Sequence, residues 1–169
     1  MGAFRTTPEH AEDLGQVIAD VRHRTRLPVW LIGTSRGTIS AVNAASRLTG
    51  LQSPDGLVLT SPVTSGRIGS DKAWVAQTVF SLDLEAIRLP VLVVAHAADK
   101  CIRTPPKLGA KITRRTNGVR EQHVTVTGGS GWNGPADVIA CKGRSPHGFV
   151  GQENEVIAGI ARFVRGGNY

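Results

Sequence analysis

The sequence predicts an α/β fold: three αβα layers around a reduced, mainly parallel sheet of about four strands. Three observations predict it. Four segments, at 29–32, 57–61, 91–95 and 123–127, have strand length, the last carried by alternating Val124 and Val126. Segments with apolar residues at helical spacing separate them, and such alternation implies right-handed crossovers and a parallel sheet. A glycine-bounded turn, Gly33-Thr34-Ser35-Arg36-Gly37, joins the first run to a helical segment.

Each element has a local reason. Thr7-Pro8-Glu9 reads as a helix cap, first position and acidic first turn. Leu14, Val17, Ile18 and Val21 then fall on one helical face. This helix should end near Arg24, because Pro28 keeps Leu27 out of the α region. The run 29–32 follows, apolar on both sides. Ile39, Val42, Ala45 and Leu48 mark a helix over 38–48 that Gly50 stops. Pro54-Asp55-Gly56 is a turn into strand 57–61. The stretch 62–71 is turn-rich, and Trp74, Val75, Thr78 and Val79 suggest a short helix. Pro90 introduces strand 91–95. Thr104-Pro105 should start a helix with Leu108 and Ile112 inside, and Asn117-Gly118 should end it. In strand 123–127, Val124 and Val126 share a face. After a glycine-rich loop, a helix over 152–165 should bury Val156, Ile157, Ile160 and Val164, with Gly166-Gly167 as its stop. The 169 residues are expected to form one domain, 1–169.

Composition narrows the function. The net charge of +7 could attract anionic surfaces, but the basic residues are scattered and no aromatic-basic module accompanies them, so no nucleic-acid partner is expected. The longest apolar runs are too short to span a bilayer, and the first five residues lack the apolar core of a signal peptide. Cys101 and Cys141 match no zinc or C-x-x-C pattern, so neither a metal ion nor a cofactor is expected.

The strand–G-x-S-x-G–helix context is that of a nucleophile elbow, where a serine hydroxyl stands exposed on a sharp turn. The two glycines keep strand and helix from colliding there. The helix start offers backbone N–H groups, beginning with Arg36, to a developing oxyanion. A serine needs a base and an orienting acid. Asp99 lies just past the third strand, and His147 lies before the last helix. Asp83 and Asp137 are rival acids, less well placed relative to a strand end. Thr34, His96 and Trp132 are expected to line the site. His10, His23 and His123 read as structural or exposed.

The chain order Ser35, Asp99, His147 resembles that of α/β-hydrolases. The chain looks most like bacterial members that read Gly33-Thr34-Ser35-Arg36-Gly37-Thr38 at the elbow. Those members carry D-x-C in the acid loop, here Asp99-Lys100-Cys101, and a cysteine before H-G-F, here Cys141 and His147-Gly148-Phe149. The resemblance implies a serine hydrolase of carboxylic esters, esterase-like or lipase-like, acting on a small-molecule ester without cofactor. It implies the C-terminal half of the fold, a truncated or minimal version, since only one helix precedes the elbow strand. If the triad forms, the acid and histidine loops meet, and a Cys101–Cys141 disulfide would staple them. That would point to a periplasmic or secreted setting; the alternative is two free thiols in the cytosol. The family's second oxyanion donor comes from a loop this chain does not contain. A weakly active or non-catalytic binding module is therefore the other functional reading. The elbow strand also lacks a neighbour on its outer edge. A two-fold homo-oligomer that buries that edge is expected, the alternative being that residues 1–6 and the first helix cover it.

Overall fold

The structure, a computed structural model, describes residues 3–67 and 73–169. Four parallel strands stand in the order β1 (Trp30–Thr34), β2 (Gly56–Thr60), β3 (Val91–His96) and β4 (Glu121–Val126). This is the α/β three-layer arrangement that the alternating pattern predicts. The central strands β2 and β3 are buried throughout, which explains their continuous apolar runs. β1 is an edge strand, with Ile32 and Thr34 exposed although its sequence is apolar on both sides.

Side chains alternate between two cores. Leu57, Leu59, Val91 and Val93 pack with Ile39, Val42 and Ala45 of α2 (Gly37–Arg47) and with Ile112 of α4 (Ala110–Thr113). On the opposite face, Val58, Leu92, Val94 and Val126 pack with Val156 and Phe163 of α5 (Glu153–Val164). Trp30 lies over Gly56, where a Cβ would come within 2.3 Å of the indole, and its ring meets Phe163 edge-on.

Helix α1 (Pro8–Thr25) packs outside α2. Thr7 caps it by accepting the His10 N–H, as its sequence predicts. Buried Asn43 of α2 ties the two together, donating to the Thr7 carbonyl at 2.7 Å.

Several expectations need correction. In α1 the buried stripe is Ala11, Gly15 and Ile18, and Val17 is exposed. Gly15 sits against Leu48 and Gln52, so the small side of α1 faces inward. In α5, Ile157 is exposed rather than buried. Residues 104–116 form a 3-10 turn (Pro106–Leu108) and the single-turn α4 instead of one helix. α3 is Ala73–Ala76, and Val79 begins a separate 3-10 turn. Positions 68–71 of the turn-rich stretch and the Trp74 side chain lie outside the described residues. Residues 3–6 form a 3-10 turn that packs on α1 and α2, and Arg5 donates to Ser40 of α2; no described strand pairs with the outer edge of β1.

Candidate active site

Ser35 directly follows β1 with φ 49°, a left-handed conformation costly for a residue with a Cβ. Its N–H donates to the Thr60 carbonyl at 3.0 Å, and its carbonyl accepts from Thr38 N–H and Oγ1. These bonds fix the turn from both sides. A Cβ at Gly33 would lie 2.7 Å from the Gly37 carbonyl, so Gly33 does permit the close strand–helix approach. Gly37 differs from expectation: a Cβ there would meet nothing within 4 Å. Arg36 has helical backbone angles and leads into the first turn of α2.

Asp99 and His147 come together although 48 residues separate them. His147 Nδ1 donates to Asp99 Oδ2 at 3.0 Å, and both groups are buried. The other carboxylate oxygen, Oδ1, accepts the Cys101 N–H at 2.8 Å. The ring's second nitrogen, Nε2, is buried and has no hydrogen-bond partner. With Nδ1 committed to the carboxylate, Nε2 is the nitrogen that carries the lone pair in the neutral ring. Neither rival acid has this role: Asp83 caps a 3-10 turn through Ala86 N–H, and Asp137 turns its Oδ1 to Val138 N–H.

Two residues that the sequence reading missed complete this arrangement. Buried Thr104 donates its hydroxyl to Asp99 Oδ2 at 2.8 Å and lies 3.1 Å from His147 Nδ1. Buried Ser61, with φ 44°, donates to the His147 carbonyl at 2.7 Å. Thr104 lies only five residues beyond Asp99, and Ser61 directly follows β2; both positions were visible, but their partners depend on the loop paths.

A disulfide joins Cys101 to Cys141, so the acid loop and the histidine loop are stapled. A one-residue bridge between Cys101 and Asp137 reinforces the junction. Asp99, Cys101 and His147 also place one potential ligand atom each within 4.8 Å of the others. The disulfide removes the Cys101 thiolate from that set, so the group does not fit a metal ion.

Ser35 shares one cavity with residues that precede His147, and Thr34 shares another with residues that follow it. One, of about 300 Å³, is lined by Ser35, Arg36, Val63, Val75, Arg103 and Val138, and it also reaches Cys141. A second brings Thr34 and Ile32 beside Gly148, Phe149 and Ile157. Among the described residues, no hydrogen bond links Ser35 Oγ to His147 Nε2. Thr34 therefore borders the second cavity, not the one at Ser35, and bonds Thr60 Oγ1 at 2.7 Å. His96 is fully buried and spent on structure: Nε2 donates to the Gly128 carbonyl and Nδ1 accepts the Ala98 N–H. Trp132 is half-buried and donates to the Pro135 carbonyl within its own loop.

No family model and no curated protein matches the chain. Solved structures do. A monoacylglycerol lipase of Paleococcus ferrophilus is similar at TM-score 0.50 and 16% identity, over 70% of this chain and 65% of that one. The lin2722 gene product of Listeria innocua is similar at TM-score 0.51 and 14% identity, over 83% and 63%. A structure described with LipS and LipT, two metagenome-derived lipolytic enzymes, is similar at TM-score 0.54 and 14% identity, over 98% and 77%. The chain thus spans just under two thirds of the first two proteins. At these identities the likeness is one of fold, and the fold is α/β-hydrolase-like.

Proposed function

We propose that the chain acts as a serine hydrolase of carboxylic esters. Ser35 attacks the ester carbonyl, and His147 Nε2 takes its proton and returns it to the leaving alkoxide. Asp99 holds the imidazole in the required tautomer. The Arg36 N–H, at the start of α2, stabilises the tetrahedral oxyanion. Water then cleaves the acyl-enzyme by the same steps in reverse order of roles. The observation that carries this reading is the buried Asp99–His147 pair, whose outer nitrogen is left unpartnered beside the loop that shares a cavity with Ser35. The lipase and lipolytic descriptions of two similar structures support the same class of substrate. Hydrolysis of p-nitrophenyl butyrate tests it: wild-type turnover should be lost in Ser35→Ala. Undiminished turnover in that variant would overturn the reading, and no turnover in either protein would favour a binding module.

The open edge of β1 supports pairing with a second copy. Ile32 and Ile157, 56% and 62% exposed, flank one groove beside that edge. Light scattering should give a mass near twice 17.9 kDa, and Ile32→Lys should return it to the single value. A wild-type mass at the single value would refute the pairing.

A further inference from the structure

The cavity beside Ser35 carries a charge that hydrolysis of a neutral ester does not require. Among the described residues, its lining includes Arg36 and Arg103 and no acidic residue. Arg103 is half-buried and joins no ion pair among the described residues. Its guanidinium is instead held by neutral backbone carbonyls, those of Val75 and Gln77. Its own carbonyl accepts the N–H groups of Thr64 and Ser65, each at 3.0 Å. Both ends of the residue are therefore fixed, and the guanidinium keeps further donors beyond the two in use. Burial, and then repulsion from Arg36, draws the Arg103 guanidinium below its ordinary pKa. Among the described residues this positive charge in the pocket wall has no counter-ion, and a ligand carboxylate can supply one.

The neighbouring surface continues the pattern. An adjoining cavity of about 340 Å³ shares Val75, Arg103 and Val138 and adds Arg67. Basic residues thus line both cavities, together with the apolar Val63, Val75 and Val138.

Resting on the reading of Ser35 as nucleophile, we propose that the site takes esters whose acyl part ends in a carboxylate, seated on Arg103 with Arg36 alongside. The methylenes of such an acyl group would lie against Val63, Val75 and Val138. Arg103 is then a specificity residue, and half-esters of short dicarboxylic acids are the preferred class.

A pH-stat comparison of monoethyl glutarate with ethyl hexanoate tests this. The anionic ester should show the higher kcat/KM, by roughly tenfold or more. That ratio should collapse in Arg103→Met, survive in part in Arg103→Lys, and shrink at about 1 M salt. Separately, glutarate should raise the melting temperature of Ser35→Ala protein, and should not do so when Arg103→Met is added. Ester turnover without preference for the anion, and no glutarate binding, would overturn the proposal while leaving the hydrolase reading intact. Glutarate binding that depends on Arg103, without turnover of any ester, would keep the anion site and overturn the nucleophile. A preference for O-butyryl glycolate over propyl butyrate in place of the glutarate preference would put the carboxylate on the alcohol side and overturn the acyl assignment. Should Arg103→Met fail to fold, the charge-conserving Arg103→Lys decides: an unchanged ratio would overturn Arg103 as the residue that seats the carboxylate.

Discussion

Asp99 and His147 are 6% and 2% exposed, whereas Ile32, three residues before Ser35, is 56% exposed. The contrast runs through every bond around them. On the acid–histidine side, Asp99 accepts from Cys101, Thr104 and His147, Ser61 holds the His147 carbonyl, and a disulfide closes the two loops. On the serine side, Ser35 follows an edge strand with one described strand neighbour, and beyond it lies an exposed apolar groove. One half of the site is thus positioned by contacts the chain provides for itself. The other half is fixed by its turn but sits where a further surface could pack. Geometry of the acid–histidine half should therefore be insensitive to association, and placement of Ser35 should not.

Substitutions can break this comparison at several depths. The largest effect falls on the reacting groups. Ser35→Ala and His147→Ala should each lower kcat for a short ester by a thousandfold or more, and Asp99→Asn by roughly 10³–10⁴-fold, with melting curves retained. Turnover near wild type in any of the three would remove that residue from the mechanism.

Next comes the staple. The Cys101–Cys141 bond closes a separation of 40 residues. In the chain-entropy model such a closure contributes about 3–4 kcal/mol, or roughly 10 °C in melting temperature. Cys101→Ser with Cys141→Ser should show that drop and should reduce activity by loosening His147. An unchanged melting temperature would mean that hydrogen bonds alone hold the loops.

A smaller loss is expected at Thr104, a positioning residue. Thr104→Val removes a donor to Asp99 and should lower kcat by about three- to tenfold with KM little changed. Thr104→Ser, which keeps the hydroxyl, should recover the rate. If Ser does not restore what Val removes, the role of Thr104 is packing.

The smallest effect lies away from the site. Burial, and then Arg114, hold the His123 imidazole below its usual 6.5, and burial, then Arg5, do the same for His10. The fold favours the neutral rings, so the unfolded chain binds more protons as pH falls. Stability from these groups is complete above pH 6.5 and is lost as pH drops through the lower folded values. Melting temperature should decline on acidification below that point, and His123→Gln should make the decline shallower. An identical slope would exclude His123 as a contributor.

The sequence carried much of this plan in readable form. Strand-length apolar runs between helical segments identified the sheet, and the spacing of Ser35, Asp99 and His147 placed each at a strand end or before the last helix. The disulfide followed once the acid and histidine loops were brought together. What stayed hidden depends on neighbours. Periodicity marks an apolar stripe but not the layer that covers it, so Val17 and Ile157 read as buried and are exposed. Thr104 and Ser61 are ordinary hydroxyl residues until the loops bring Asp99 and His147 to them. Gly37 read as a steric necessity of the elbow, but only Gly33 meets a neighbour too closely for a side chain.

The central claim is that His147, oriented by Asp99, activates Ser35. Diisopropyl fluorophosphate reports on that chemistry without any assumption about the natural ester. Intact-mass spectrometry of treated protein should show one adduct, and peptide mapping should place it on Ser35. Ser35→Ala should abolish it, and His147→Ala should slow its formation by orders of magnitude while Ser35 remains present. An unlabelled wild-type protein, or an adduct on a residue other than Ser35, would contradict the account.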